Sequence, residues 1–165
     1  MFSFFAGCGP QNNSAIVEAG KSDSYKEPLI DANKARLKME NKKIESYIKR
    51  NGWDVTTTGT GLRYLIFKKG SGAKAKVGNT AIINYEVKLL DGTLCYTSDD
   101  EGTKGIELGK TQIERGVDEG ILLMQVGDKA KFILPSHLAH GLVGDGNKIP
   151  SHSVLVYDVE LIDLK

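Results

Sequence analysis

The feature that most constrains the fold is a change of hydrophobic period at Gly61. Beyond this residue, apolar side chains alternate with polar ones in short segments, a pattern that predicts β-strands with one buried face. Asp91-Gly92 is typical of a hairpin turn. Only the stretch from Arg115 to Gln125 has the composition of a short helix. The predicted strands lie within LRYLIFKKG, TAIINYEVKLLDGTLCYTS, GIELGK, DKAKFILPSH and SVLVYDVELIDLK.

These elements predict an α+β fold in which an antiparallel sheet of five to six strands wraps around one short helix. The helix is needed because it must fill the concave face of such a sheet. A longer helix precedes the sheet, within EPLIDANKARLKMENKKIESYIKRNGW. Pro28 suits its first turn and Gly52 ends it, while the interior is rich in good helix formers.

The N-terminal helix carries a partial apolar stripe that has two interpretations. Ile30, Leu37 and Ile44 repeat every seven residues, which favours a dimerisation arm and therefore a homodimer. The alternative is that the stripe packs on the protein's own domain. Two heptads are too few to decide between them. The predicted boundaries are residues 1–27 for a tether, 28–58 for the helix and 59–165 for the sheet domain.

The first residues suggest a lipid anchor. Phe5-Ala6-Gly7-Cys8 has the pattern of a bacterial lipobox, in which the cysteine becomes diacylated, and the polar stretch after it suits a tether. Only seven residues precede Cys8, none of them Lys or Arg, whereas a secretory signal has a basic start. Either the start lies upstream of Met1 or the match is due to chance. The first reading predicts lipid anchoring in the bacterial cell envelope, in the periplasm or at the outer membrane.

Charge and cysteine content exclude several classes of protein. The net charge is +1 and both signs are mixed along the chain, so no basic field for nucleic acid is expected. Cys8 and Cys95 lie far apart in different surroundings, which argues against a disulfide framework and against a paired-cysteine metal or redox site. No apolar run is long enough to span a bilayer.

Three histidines lie close together in the sequence, at His137, His140 and His152. The first two, three residues apart, would lie on one face of a helical turn and could supply two metal ligands. Pro135 and Gly141 flank them, so any helix here has one or two turns. The alternatives are a surface turn or a single histidine lining an apolar pocket.

Three stretches together resemble the FKBP-type peptidyl-prolyl cis-trans isomerases: VGNTAIINYEVKLLDGT, IELGKTQIERGVDEGILLMQVGDKAKFILPSHLAHG and KIPSHSVLVYDVELIDL. The similarity covers about residues 59–165. It implies a shallow apolar pocket between helix and sheet that holds the proline of a peptide or unfolded protein. It also implies that the protein assists protein folding and needs neither a cofactor nor a metal. The preceding helix and lipobox are similar to those of envelope-anchored members in Gram-negative bacteria.

The resemblance also implies which residues form the pocket. Tyr85 falls on the family's first pocket tyrosine, and Ile113 on a lining residue. Glu114 falls on a position that offers its backbone N–H to the ligand, while Ile149 and Tyr157 fall on the far wall. For each of these the alternative is an ordinary core residue.

Four positions depart from the family pattern. Cys95-Tyr96 stand where the family has Phe-Asp, which removes an aromatic wall and the pocket carboxylate, and Val117 replaces a tryptophan floor. His140 replaces a tyrosine that donates to the ligand carbonyl, a role that neutral imidazole can fill from one nitrogen. Protonation in mild acid is then expected to weaken binding. The departures favour the alternative function, a non-catalytic or weakly catalytic peptide-binding module, and a pocket role for His140 argues against the metal site.

Overall fold

The structure, a computed structural model, describes residues 26–110 and 114–165. The chain divides into two units, with the boundary between Arg36 and Leu37. In the described part, the helices are α1 (Lys26–Asn51), α2 (Ser98–Glu101) and α3 (Arg115–Leu122). The strands are β1 (Thr56–Thr57), β2 (Arg63–Lys68), β3 (Thr80–Leu89), β4 (Leu94–Thr97), β5 (Lys104–Glu107), β6 (Lys129–Leu134) and β7 (Leu155–Leu164).

The strands pair antiparallel in one sheet in the order β1-β2-β6-β7-β3-β4, with β5 paired to β3. This confirms the predicted α+β class with a short helix against an antiparallel sheet and a longer N-terminal helix. The described strands number seven because a two-residue strand, β1, adds to the edge of the sheet.

Two element boundaries differ from the sequence prediction. Helix α3 ends at Leu122 rather than Gln125. The strand predicted to run to Ser98 instead ends at Thr97, and a one-turn helix follows. The hydroxyl of Thr97 accepts a hydrogen bond from the backbone N–H of Asp99 at 3.3 Å, which caps this turn. Acidic residues in its first turn complement the positive end of the helix dipole.

The register of β3 against β7 places aromatic side chains in the core. Tyr85 pairs with Val159, and Val87 pairs with Tyr157. Along β3 the side chains alternate between buried and partly buried, as expected when one face of a strand meets a core. Tyr85 and Tyr157 are both buried and belong to the main core cluster.

Helix α3 lies close to β6 because two of its residues have no side chain. A Cβ atom on Gly116 would lie 2.6 Å from Cγ of Leu134, and one on Gly120 would lie 2.6 Å from Cε2 of Phe132. Real Cβ atoms do not approach other atoms so closely. The two glycines, one turn apart, therefore allow the helix backbone to approach the sheet.

The opposite face of β6 carries a second, smaller core. Ile133, between Phe132 and Leu134, is buried against Ile44 of α1 together with Ile48 and Val154. Because side chains alternate across a strand, β6 contacts α3 on one face and the second half of α1 on the other.

The apolar stripe of α1 is divided along its length. Ile44 is fully buried, whereas Leu29, Ile30, Leu37 and Met39 are exposed. Among the described residues, no helix has the length and hydropathy needed to cross a membrane.

Candidate functional site

A cavity of about 370 Å³ opens where α3, β3 and β7 meet the loop after β6. Its volume falls within the range of small-molecule and peptide-anchor pockets. Apolar side chains supply part of the wall, and polar groups from four separate segments supply the rest. The lining residues are Ile83, Tyr85, Val87, Tyr96, Glu101, Lys104, Ile106, Glu114, Val117, His140, Asp145, Asn147 and Tyr157.

The structure brings together six of the residues that the sequence assigned to the pocket. These are Tyr85, Tyr96, Glu114, Val117, His140 and Tyr157. Cys95 and Ile149 are buried in the main core cluster and are not among the lining residues. Ile113 and the lipobox cysteine Cys8 lie outside the described residues.

Tyr85 is held by a carboxylate from α2. Its hydroxyl donates a hydrogen bond to Oε2 of Glu101 at 2.6 Å. Burial, followed by this hydrogen bond and the negative charge of Glu101, raises the pKa of Tyr85 to about 12. The phenol is therefore neutral, and its proton is committed to Glu101.

Glu114, the residue before α3, brings one carboxylate oxygen close to two polar side chains of the cavity. Its Oε1 accepts a hydrogen bond from the hydroxyl of Tyr157 at 2.8 Å, and Nε2 of His140 lies 2.8 Å from the same oxygen. Burial and the charge of Glu114 hold the pKa of Tyr157 well above its ordinary value.

Asp145 organises the loop on the third side of the cavity. It accepts a hydrogen bond from the hydroxyl of Tyr96, and its Oδ1 accepts from the backbone N–H groups of Asn147 and Ile149 at 2.8 Å each. Burial alone would raise the pKa of Asp145, but these hydrogen bonds and the nearby His140 lower it to about 2. The hydrogen bond to Asp145 is the main cause that raises the pKa of Tyr96.

Three carboxylates line the cavity, from Glu101, Glu114 and Asp145, although none stands at the position where the family motif has one. Glu101 was not among the predicted pocket residues, because the residues after Ser98 were assigned to no helix or strand. The signal was present, since Thr97 precedes a run of three acidic residues, which is typical of a capped helix start.

Cys95 is a core residue of β4. Burial raises the pKa of its thiol, and Sγ lies 3.8 Å from the carbonyl oxygens of Thr93 and Lys148. It therefore packs between its own strand and the loop that carries Asp145.

The two histidines of the His-x-x-His motif point to different partners. His137 is exposed, and its Nε2 lies 3.0 Å from the carbonyl oxygen of Thr60. His140 faces Glu114. His137 lies within a single 3-10 turn, Ser136–Leu138, and His140 follows this turn, so the two do not share a face of a regular helix.

This cavity lies within a segment that matches a known family. A family model described as FKBP-type peptidyl-prolyl cis-trans isomerase matches residues 71–162, more than half of the chain. The chain belongs to the FKBP family. The match includes every lining residue of the cavity.

Individual FKBP proteins support this assignment. FkpA of Aeromonas hydrophila is 40% identical over 140 residues, which cover 83% of this chain and 52% of that protein. A probable FkpA of Neisseria meningitidis is 34% identical over 137 residues, covering 82% of this chain and 50% of that one. The crystal structure of FkpA from Escherichia coli superposes with a TM-score of 0.68 at 32% identity, covering 87% of this chain and 73% of that one. The chain thus spans about half the length of these two curated relatives.

Proposed function

We propose that this chain is a peptidyl-prolyl cis-trans isomerase that acts on X-Pro bonds of peptides and unfolded proteins. The observation that carries the proposal is the cavity beside α3, which combines an apolar wall with polar groups held in fixed positions. Membership of the FKBP family supports it.

The reaction requires no nucleophile. Rotation about an X-Pro bond is slow because it breaks amide resonance, with a barrier of roughly 18–20 kcal/mol. A catalyst has only to bind the twisted amide better than the planar one. An apolar cavity does part of this, because water stabilises the charge-separated resonance form of the planar amide.

In this proposal Val117, Ile83, Val87 and Ile106 contact the proline ring. The backbone N–H of Glu114 donates to a peptide carbonyl, and the imidazole of His140 supplies a second donor. Fixed donors stabilise the twisted amide without reorganising during the reaction. Ile113 completes the wall in the way that the family pattern implies, and Ile149 supports it from the main core cluster.

A second candidate function, a peptide-binding module with little turnover, is favoured by the hydrogen bonds inside the cavity. The hydroxyl groups of Tyr85, Tyr96 and Tyr157 all donate to carboxylates of the protein itself. Nε2 of His140 lies 2.8 Å from one of these carboxylates, that of Glu114. The hydroxyl groups are therefore already hydrogen-bonded before a substrate binds, so they contribute less to stabilising the twisted amide.

A protease-coupled assay with a chromogenic Xaa-Pro peptide decides between the two. The isomerase proposal expects the cis-to-trans rate to rise in proportion to protein concentration, and Val117→Glu to abolish the increase. Val77→Glu, which changes the same residue type at an exposed site, is the matched control and should keep full activity. Folded wild-type protein that binds the peptide without accelerating its isomerisation would establish the binding module instead.

We propose in addition that the protein is anchored in the bacterial cell envelope by lipid on Cys8. The lipobox-like sequence at Phe5–Cys8 supports this. The native gene, expressed from its full upstream start with labelled fatty acid, should yield labelled protein, and Cys8→Ser should release it from the detergent phase. An unlabelled native protein would end this proposal.

The domain boundaries at residues 27/28 and 58/59, and a homodimer through α1, are also proposals. The exposed side chains of Ile30 and Leu37, one heptad apart, support dimerisation, whereas Ile44 is already buried in the protein's own core. Light scattering should give twice the monomer mass, and Ile30→Glu with Leu37→Glu should halve it. A monomeric wild type at high concentration would contradict the dimer.

A further inference from the structure

Glu40, in the second half of α1, connects this helix with the rim of the cavity. Its side chain is buried, and its two oxygens accept hydrogen bonds from the backbone N–H and the hydroxyl of Ser136, each 2.7 Å long. Ser136 is itself buried and begins the 3-10 turn after β6. Both oxygens of one carboxylate are thus committed to a single residue.

This arrangement is costly if its purpose is only to attach the helix. A buried carboxylate loses its hydration, and its two hydrogen bonds must compensate for that loss. Within residues 26–110 and 114–165, no ion pair to Glu40 is present. Ile44 and Ile48 already hold α1 on the sheet by apolar contact. The carboxylate therefore does something that the apolar contact cannot do, which is to fix the orientation of Ser136.

Ser136 in turn fixes the backbone around His140. Its carbonyl oxygen accepts hydrogen bonds from the N–H groups of Ala139 at 3.1 Å and Gly141 at 2.8 Å, the residues on either side of His140. The imidazole that projects between them reaches Oε1 of Glu114. A continuous path of hydrogen bonds and covalent links therefore joins the carboxylate on α1 to the cavity.

We propose that Glu40 is a positioning residue of the cavity: through Ser136 it sets the turn from which His140 reaches Glu114. The effect on catalysis rests on the proposed isomerase function, whereas the effect on His140 does not. The second half of α1 then belongs to the functional unit, although the predicted domain boundary places it outside.

The test compares wild type, Glu40→Leu and Glu40→Gln in the full chain, with Glu45→Gln as the control. Glu45 lies on the same helix but is exposed and faces Arg63 at 3.4 Å. Leucine removes both acceptors. Glutamine can keep both bonds, since its oxygen accepts from the N–H and its amide can donate to the hydroxyl of Ser136.

The readouts are the imidazole signals of His140 in the NMR spectrum and the KM for an Xaa-Pro peptide. Glu40→Leu should shift the His140 signals and the amide signal of Gly141, and should raise KM by about tenfold with a smaller change in kcat. Glu40→Gln should restore both within about twofold, and Glu45→Gln should change neither. Wild-type His140 signals in Glu40→Leu, or equal effects of Gln and Leu, would overturn the proposal.

Two further cases also give a clear answer. If Glu40→Leu does not fold, Ser136→Ala can be used instead, because it removes one of the two hydrogen bonds and should shift the same NMR signals. Unchanged signals in folded Ser136→Ala would contradict the proposal. If the wild type has no isomerase activity, a shifted His140 signal in Glu40→Leu still supports the positioning role while the proposed enzyme function fails.

Discussion

Nε2 of His140 lies 2.8 Å from Oε1 of Glu114, the same oxygen that accepts from the hydroxyl of Tyr157. The imidazole therefore lies close to the carboxylate of Glu114, and the carboxylate of Asp145 also interacts with it.

This contact places the imidazole of His140 where it can act on a bound peptide. If His140 donates to the peptide carbonyl, His140→Ala should lower kcat/KM by about 2- to 10-fold, the worth of one hydrogen bond. His140→Tyr, which keeps a donor, should retain activity. An unchanged rate in folded His140→Ala, measured by NMR exchange without a coupling protease, would show that His140 does not donate.

The hydrogen bond between Tyr85 and Glu101 should be detectable when the protein is titrated to alkaline pH. The pKa of Tyr85, raised to about 12 from an ordinary 10, means that the contribution of this bond to stability is complete below about pH 10 and is lost as pH rises through about 12. Glu101→Gln should move the Tyr85 transition toward 10 in ultraviolet absorption, with Tyr85→Phe identifying the transition. Asp100→Asn, a change in the same helix, should leave it in place. No movement in Glu101→Gln would refute the pairing.

Acid should loosen the loop that Asp145 holds. The pKa of Asp145 is lowered to about 2 from 3.8, so its stabilising effect is complete above about pH 4 and is lost as pH falls through about 2. The amide signals of Asn147 and Ile149 should report this loss. Asp145→Asn should show the loosened signals at neutral pH and no further change in acid, whereas exposed Asp54→Asn should behave as wild type. Identical acid profiles for Asp145→Asn and wild type would contradict the assignment.

Gly120 should not tolerate a side chain. An added Cβ would lie 2.6 Å from the ring of Phe132, which is fully buried. Overpacking costs about 1–3 kcal/mol, which exceeds the roughly 1 kcal/mol of helix propensity gained by Gly→Ala. Gly120→Ala should therefore lower the free energy of unfolding in urea, while Gly59→Ala, where nothing lies within 4 Å, should not. An equally stable Gly120→Ala protein would show that α3 can move away from the sheet.

Val117 and Cys95 should respond differently when the family's aromatic residues are restored. Val117 lines the cavity, so Val117→Trp has space to enter and should raise kcat/KM. Cys95 is buried in the core, so Cys95→Phe should destabilise the protein by about 1–3 kcal/mol. Isomerase assays and urea unfolding on both variants measure this. Greater activity in a stable Cys95→Phe protein would mean that Cys95 does face the ligand.

The sequence predicted the fold better than the contacts of the site. Alternating apolar residues marked the strands, and Gly52 marked the end of α1, because these signals are local. The helix begins at Lys26, two residues before Pro28. The position of Glu114 next to the imidazole of His140 was not foreseen from the sequence. The expectation that acid weakens binding stays a prediction.

Long-range hydrogen bonds explain the rest of the difference. Glu40 and Ser136 are separated by 96 positions, and Tyr96 and Asp145 by 49. Neither a hydrophobic period nor a sequence motif predicts such pairs, because the residues come together only when the sheet has formed. Glu101 is the exception, since the capping pattern at Thr97 was available in the sequence.

The hydroxyl groups that line the cavity are already hydrogen-bonded to the protein itself, and this affects which ligands bind. The three phenols already donate to carboxylates of the protein, so a bound molecule gains little from its own acceptors. Selection then rests on steric fit within the apolar wall. An analogue with a six-membered ring in place of proline should be rejected more strongly than one whose amide carbonyl has been replaced by a thiocarbonyl. The protein would thus distinguish its clients by the shape of one residue and tolerate variation in their polarity.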